Sequence, residues 1–172
     1  MNIFDCFFKQ ICYCHSVLEL SLEGFIMTQW TVHLLNAAAL TPEDVSDLID
    51  LRQELSPHKP RITKEDVVMT VQMNAVFAIR DPISGRLVAM ATLIILRKLE
   101  GPYGYVHDVV TAQSCRGNGL GRLLMNALLD EARHRELLTL ELTSADTREQ
   151  AVALYSSLGF TIIETNFFRL KL

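Results

Sequence analysis

The stretch Arg116-Gly117-Asn118-Gly119-Leu120-Gly121-Arg122 lies between an apolar strand pattern and a run whose leucines recur at the helical period. The first amides of a helix have no partner inside the helix, and the helix dipole is positive there, so an anion binds well at that point. Glycine lets the chain turn sharply and lets a ligand approach the backbone. With an arginine on either side, the stretch predicts a cradle for a phosphate or pyrophosphate.

Two common phosphate-binding loops do not match this stretch. The ATP-type loop ends in Gly-Lys-Ser or Gly-Lys-Thr, which is absent here. The dinucleotide fingerprint needs glycine where Arg122 stands, and it belongs to a first strand–helix unit, whereas this turn comes late in the chain. A tight strand-to-helix turn without a ligand is the remaining alternative for this stretch taken by itself.

The neighbouring segments point to one family. The glycine stretch contains the pattern R-x-x-G-x-G, follows Tyr-Val-His-Asp-Val-Val-Thr at 105–111 and precedes Ala-Val-Ala-Leu-Tyr-Ser-Ser-Leu-Gly-Phe at 151–160. In this order and spacing the chain resembles the GNAT superfamily of acetyl-CoA-dependent N-acetyltransferases, as a small single-domain member of bacterial type, over roughly residues 29–172. The resemblance implies a mixed α/β fold. Its central, mostly antiparallel sheet would have six to seven strands, splay between the fourth and fifth, and be flanked by about four helices.

Local patterns predict the individual elements. Thr41 with Asp44, and Thr63 with Asp66, are spaced as capping boxes at the starts of two helices. A further helix follows the glycine stretch, and another is predicted over 147–158. The predicted strands are 29–36, 75–81, 86–98, 104–111, 137–142, 160–165 and 167–172.

The resemblance implies acetyl-CoA as the co-substrate, and no metal. The backbone of the strand before the glycine stretch would pair with the pantetheine arm, and the backbone amides of the stretch would hold the pyrophosphate. Arg148 stands where relatives often carry asparagine, so it either contacts phosphate or faces solvent. The predicted cofactor-binding residues are Val109, Val110, Thr111, Arg116, Gly117, Asn118, Gly119, Leu120, Gly121, Arg122 and Arg148.

Acetyl transfer to an amine needs a base for the amine proton, a donor to the acyl carbonyl and an acid for the leaving sulfur. Tyr155 matches the family's acid, although it would also suit a tyrosine that only packs on the cofactor. The backbone amide of Val110 is the expected carbonyl donor. The base is His107, Asp108 or a relayed water, and alternation along a strand lets only one of these two side chains reach the acceptor pocket.

The predicted function is therefore transfer of acetyl from acetyl-CoA to a primary amine of a small molecule or peptide, by direct attack in a ternary complex. The alternative is a non-catalytic acyl-CoA-binding module on the same fold. His58, Lys59 and Arg61 would suit an acceptor that carries a carboxylate, or they are solvated loop charges.

Composition limits the other classes. The formal net charge of −4 over 172 residues disfavours nucleic-acid binding as the main activity. The longest apolar run, 87–96, is too short to cross a membrane and is typical of a buried strand. Few and clustered cysteines indicate a reducing, cytoplasmic setting, and we expect a monomer or a homodimer. Cys6, Cys12, Cys14 and His15 lack the spacing of a structural zinc site.

Residues 1–26 are interpreted as an extension of a domain that covers 27–172. The extension lacks the basic start and the uninterrupted apolar core of a signal peptide. It is either an amphipathic helix that docks on the domain or a stretch upstream of a functional start at Met27.

Overall fold

The computed structural model describes residues 30–170. Within that range the chain forms five strands and four α-helices. They are β1 (Thr31–Leu34), α1 (Pro42–Leu55), α2 (Lys64–Met73), β2 (Ala75–Arg80), β3 (Leu87–Lys98), β4 (Gly101–Thr111), α3 (Leu120–His134), β5 (Leu140–Glu141) and α4 (Glu149–Ser157). The extension predicted over residues 1–26 lies outside the described residues.

The strands form one sheet in the order β1-β2-β3-β4-β5. The first three pairs of neighbours are antiparallel, and β5 joins β4 in parallel. This confirms the mixed, mostly antiparallel sheet that the family resemblance implies. Because β3 and β4 are far longer than β2 and β5, their ladder extends past both neighbours.

The first two helices begin where the sequence predicts. The Thr41 hydroxyl accepts from the Asp44 amide at 3.1 Å, and the Asp44 carboxylate accepts from the Thr41 amide at 3.2 Å. Thr63 and Asp66 repeat the arrangement at α2. Each capping box satisfies two backbone donors that would otherwise be unpaired, so both predicted helix starts are confirmed.

The N-terminal half of α1 is bound to the sheet by two buried carboxylates. Asp44 accepts from the Arg80 guanidinium at 2.8 Å. Asp47 accepts from the Leu87 amide at 2.8 Å and from Arg86 Nε at 2.6 Å. Since a buried carboxylate is tolerated only with such partners, these contacts fix where α1 lies on the sheet.

The core has two parts, one on each face of the sheet. On one face, Leu124, Met125 and Leu128 of α3 are fully buried against β2, β3 and β4. On the other face, α1 and α2 cover residues that include Met90 and Val110. No helix between residues 30 and 170 is long and apolar enough to span a bilayer.

The C-terminal part differs from the prediction. The strand predicted over 137–142 is only two residues long, and residues 160–170 of the two strands predicted after it form none. The sheet thus has five strands in the described residues, and the prediction of six to seven was wrong. The β-favouring composition of 160–170 finds no neighbouring strand, because β5 is so short; Phe168, for example, is 85% exposed. A segment with a β-favouring composition forms a strand only where another strand is available to pair with it.

Candidate active site

A bulge in β4 shapes the first wall of the site. Asp108 and Val109 of β4 together stand opposite the single residue Ala91 of β3. Asp108 has a φ of 49°, in the left-handed region. A bulge of this kind bends the strand and redirects its side chains. It therefore breaks the strict alternation on which the sequence argument about His107 and Asp108 rested.

Beyond the bulge, β4 has an open edge. β5 pairs only with Gly104 and Tyr105, so within the described residues the edge from Val106 to Thr111 has no partner strand. This divergence of β4 from β5 corresponds to the splay expected between the fourth and fifth strands. An unpaired edge offers its backbone groups to an extended ligand, as a missing strand would.

The register also shows which groups face that edge. The Ala112 amide donates to the Val88 carbonyl at 2.8 Å, so Ala112 and Val88 are a hydrogen-bonded pair. In an antiparallel ladder every second pair of opposite residues is hydrogen-bonded. The next such pair is therefore Val110 with Met90. The Val110 amide thus points towards β3. The amide of Thr111 faces the open edge instead, which differs from the expectation that Val110 is the carbonyl donor.

The glycine stretch forms the anion-binding corner. Gly117 and Gly119 have φ of 83° and 73°, and Gly119 is the N-cap of α3. The Asn118 side chain donates to the Cys115 carbonyl at 3.0 Å and closes the turn. The amides of residues 117–121 donate to no backbone or side-chain acceptor within the described chain. Free amides at the start of a long helix are what a phosphate needs.

Two arginines connect this corner with the last turn of α1. The Arg116 guanidinium contacts Glu54 Oε1 at 2.9 Å and donates to the Thr111 carbonyl at 3.2 Å. Arg148, which precedes α4, donates to the Leu55 carbonyl at 3.0 Å. Both arginines therefore lie at the cleft, each held by a group of α1.

Helix α4 brings Tyr155 to the opposite wall. Its ring contacts Phe160 edge to face, with centroids 6.0 Å apart. Burial raises the pKa of the Tyr155 hydroxyl, and the charge of Arg148 opposes this only in part. The phenol is thus protonated at neutral pH and can give up a proton. Arg122 binds the same helix by donating to the Ser157 hydroxyl at 2.7 Å.

These walls enclose a cleft of about 670 Å³. The predicted residues that line it are Val109, Val110, Thr111, Arg116, Gly117, Leu120, Arg148 and Tyr155. Those that do not line it are His107, Asp108, Asn118, Gly119, Gly121 and Arg122. The structure therefore brings the predicted acid and most of the predicted cofactor residues together, and leaves the two candidate bases beside the cleft.

The two candidate bases form a cluster with Arg52, which the sequence analysis did not identify. Asp108 Oδ1 lies 3.2 Å from His107 Nδ1 and 3.3 Å from Arg52 Nε. Burial acts to raise the pKa of the Asp108 carboxyl, but the hydrogen bond and charge of His107, with the charges of Arg52 and Lys59, hold that pKa below its usual value. No sequence signal marks Arg52, since an arginine in the last turn of a helix usually faces solvent.

Within residues 30–170, no group of three or more His, Cys, Asp or Glu side chains is arranged to hold a metal ion. The four candidate zinc ligands at the N-terminus lie outside the described residues.

An unpaired strand edge and free amides at the start of a helix are features that suit an extended, phosphate-bearing ligand. Residues 45–160 match the model of the Acetyltransferase (GNAT) family. The chain belongs to this family, which uses acetyl-CoA.

Individual relatives agree with this assignment. The chain is 30% identical to Glucosamine 6-phosphate N-acetyltransferase 1 of Oryza sativa subsp. japonica, over 58% of this chain and 68% of that protein. Its fold is similar to a Trypanosoma brucei acetyltransferase, with a TM-score of 0.68, 26% identity, and coverage of 84% of this chain and 100% of the other. A predicted acetyltransferase from Clostridium acetobutylicum, whose structure contains acetyl-CoA, has the same fold with a TM-score of 0.64, 16% identity, and coverage of 83% of this chain and 96% of the other.

Proposed function

We propose that the protein transfers the acetyl group of acetyl-CoA to a primary amine of a small molecule or peptide. One observation carries this proposal: the open edge of β4, residues of the free-amide corner and Tyr155 all line the same cleft. A module that only bound an acyl-CoA would need the edge and the corner, but not a protonated phenol in the same cleft.

The residues present suit acetyl-CoA. The amides of residues 117–121 lack protein acceptors in the described chain and would hold the pyrophosphate. The open edge at residues 109–111 would pair with the pantetheine arm. When bound, acetyl-CoA supplies an acyl carbon activated as a thioester and a thiolate leaving group. The amide of Thr111 faces the open edge and is therefore available to the pantetheine arm.

The acid–base roles follow from what each side chain already contacts. Asp108 Oδ1 lies 3.3 Å from Arg52 Nε and 3.2 Å from His107 Nδ1, and the pKa of its carboxyl is lowered, so Asp108 is better suited to orient His107 than to take a proton. His107 is half exposed, and its Nε2 makes no hydrogen bond or ion pair with residues 30–170, so this nitrogen is the proposed acceptor of the amine proton, either directly or through one water. Tyr155 is protonated at neutral pH and is the proposed donor to the leaving sulfur.

The acceptor proposal starts from the curated relative, whose name specifies an amino sugar phosphate. Of the basic loop residues, Arg61 is paired with Asp50 at 2.5 Å, whereas Lys59 is close enough to act on the charge of Asp108. Lys59 is therefore the proposed contact for an anionic group of the acceptor. Phosphorylated amino sugars are the first class to screen, followed by amino acids and peptide N-termini.

The test has two stages. Calorimetric titration with acetyl-CoA, CoA, ATP and NADH should give saturable binding of acetyl-CoA and CoA alone. Thiol release should then be followed with each class of amine. Folded protein that fails to bind acetyl-CoA would overturn the proposal. Binding without release by any amine, and with no effect of Tyr155→Phe, would leave the non-catalytic module as the function.

A further inference from the structure

Arg52 is a nearly buried cation in the last turn of α1 and belongs to none of the sequence motifs. Its side chain is 17% exposed, and its Nε lies 3.3 Å from Asp108 Oδ1. Within residues 30–170, Arg52 forms an ion pair with Asp108 and with no other acidic side chain. A guanidinium removed from water needs such a partner, so the position of Arg52 is tied to that of Asp108.

Asp108 has an unusual backbone and a shared side chain. Its φ of 49° places a non-glycine residue in the left-handed region, which costs about 1 kcal/mol or more. The same Oδ1 that meets Arg52 also lies 3.2 Å from His107 Nδ1. Neighbouring residues of a regular strand point to opposite faces, so this contact exists only because of the bulge.

We propose that Arg52 is a positioning residue, which holds the Asp108 carboxylate at the bulge so that it accepts a hydrogen bond from His107 Nδ1. A neutral imidazole carries one N–H. With that hydrogen on Nδ1, the lone pair is on Nε2. Arg52 thereby selects which nitrogen of His107 is the free base. The effect of Arg52 on the tautomer is independent of the proposed function, and only the role of His107 Nε2 as the base for the amine rests on it.

The surroundings keep Arg52 in place. Asp44 and Asp47 bind the other half of α1 to the β2–β3 hairpin, about 12 Å and about 8 Å from Arg52 at 1.5 Å per residue. Glu54, the nearest acid in the same turn, contacts Arg116 at 2.9 Å and so does not compete with Asp108. Lys59 adds positive charge on the same side and favours the ionised carboxylate.

The test uses ¹⁵N-histidine NMR of the whole chain at a pH where imidazoles are neutral, with the His107 signals assigned through His107→Gln. The wild type should show His107 as the Nδ1–H form. Arg52→Gln should shift at least a third of the molecules to the Nε2–H form, and Arg52→Lys should restore most of the original signal. Arg133→Gln, which removes an exposed ion pair of α3 with Asp130 at 2.8 Å, is the matched control and should change nothing.

Function gives a second readout. With any acceptor found in the screen, Arg52→Gln should lower kcat about tenfold and leave the Kd of acetyl-CoA within twofold. An unchanged His107 tautomer in folded Arg52→Gln would overturn the proposal, whatever its activity. If Arg52→Gln does not fold, Arg52→Met decides, because it removes the guanidinium but keeps an unbranched apolar stem, and a wild-type tautomer in that variant would equally overturn the proposal. A protein that transfers no acetyl group yet shows the tautomer shift would refute the proposed function and support the role of Arg52.

Discussion

Gly119→Ala tests whether the glycine stretch binds a ligand or merely turns the chain. Gly119 has a φ of 73°, and a Cβ built on it meets no atom within 4 Å. The substitution therefore causes no clash in the free protein, and its cost is the strain of a left-handed alanine, about 1 to 2 kcal/mol. Gly85, in the β2–β3 turn, has a φ of 71° and the same open space, so Gly85→Ala is a control of nearly equal strain.

The two variants should differ only in binding. Both should lose about 1 to 2 kcal/mol of unfolding free energy in urea. Gly119→Ala should also lose at least one amide-to-phosphate hydrogen bond, either through the new methyl group or through a shift of φ that turns the amides away. A hydrogen bond to a charged group is worth about 1.5 to 3 kcal/mol, so the Kd of acetyl-CoA should rise about tenfold to a hundredfold.

Calorimetry on the two variants reads out this difference. Gly85→Ala should bind acetyl-CoA like the wild type. If Gly119→Ala also binds like the wild type while showing the expected loss of stability, the free amides of residues 117–121 are not the phosphate site. If neither variant loses stability, a left-handed alanine costs far less at these two positions than the expected value of about 1 to 2 kcal/mol.

Three further substitutions test separate parts of the structure. Tyr155→Phe should lower kcat about a hundredfold or more in the thiol-release assay with little change in the Kd of acetyl-CoA, and an unaltered kcat would remove the acid role. Glu54→Gln frees the Arg116 guanidinium and should lower the Kd of acetyl-CoA about threefold or more by calorimetry; a higher Kd would show that Glu54 helps to build the site. Asp44→Asn should cost about 1 to 2 kcal/mol at pH 7 in urea unfolding, since its partner Arg80 is partly exposed. Burial alone would raise the pKa of Asp44, but the hydrogen bonds from Arg80 and from the helix cap lower this pKa below the ordinary 3.8. The stabilisation that the Asp44 carboxylate contributes should therefore disappear as the pH falls below that value. The unfolding free energy of Asp44→Asn should accordingly change less with pH in this acidic range than that of the wild type.

The sequence was most informative where structure depends on neighbours in the chain. The capping boxes at Thr41 and Thr63 and the left-handed glycines before α3 are decided within a few residues, and the structure has each of them. The bulge at Asp108 depends instead on how β4 aligns with β3. A pattern of side chains in one strand does not contain that register, so alternation gave the wrong relation between His107 and Asp108.

Contacts between segments that are far apart in the chain could not be predicted from the sequence. Arg52 and Asp108 are separated by 56 positions, and Arg148 and Leu55 by 93. Nothing local distinguishes these arginines from solvated ones, because the partner is chosen by where α1 lies on the sheet. The same reasoning explains the missing final strands, whose composition favours β-structure but whose neighbour β5 is only two residues long.

The last turn of α1 offers a way to separate the two halves of the proposed reaction. The base cluster, the open edge and the free amides follow one another along residues 107–121, so changes in that segment affect acceptor and donor chemistry together. The last turn of α1 contacts the base cluster and the anion-binding corner through different side chains. Arg52 contacts Asp108 of the base cluster, and Glu54 contacts Arg116 of the anion-binding corner. We therefore expect Arg52→Gln to lower kcat without changing the Kd of acetyl-CoA, and Glu54→Gln to change that Kd without lowering kcat. The double variant should show the sum of the two effects in free energy. A double variant that departs from additivity by more than 1 kcal/mol would mean that the turn moves as one unit and that the two halves are not independent.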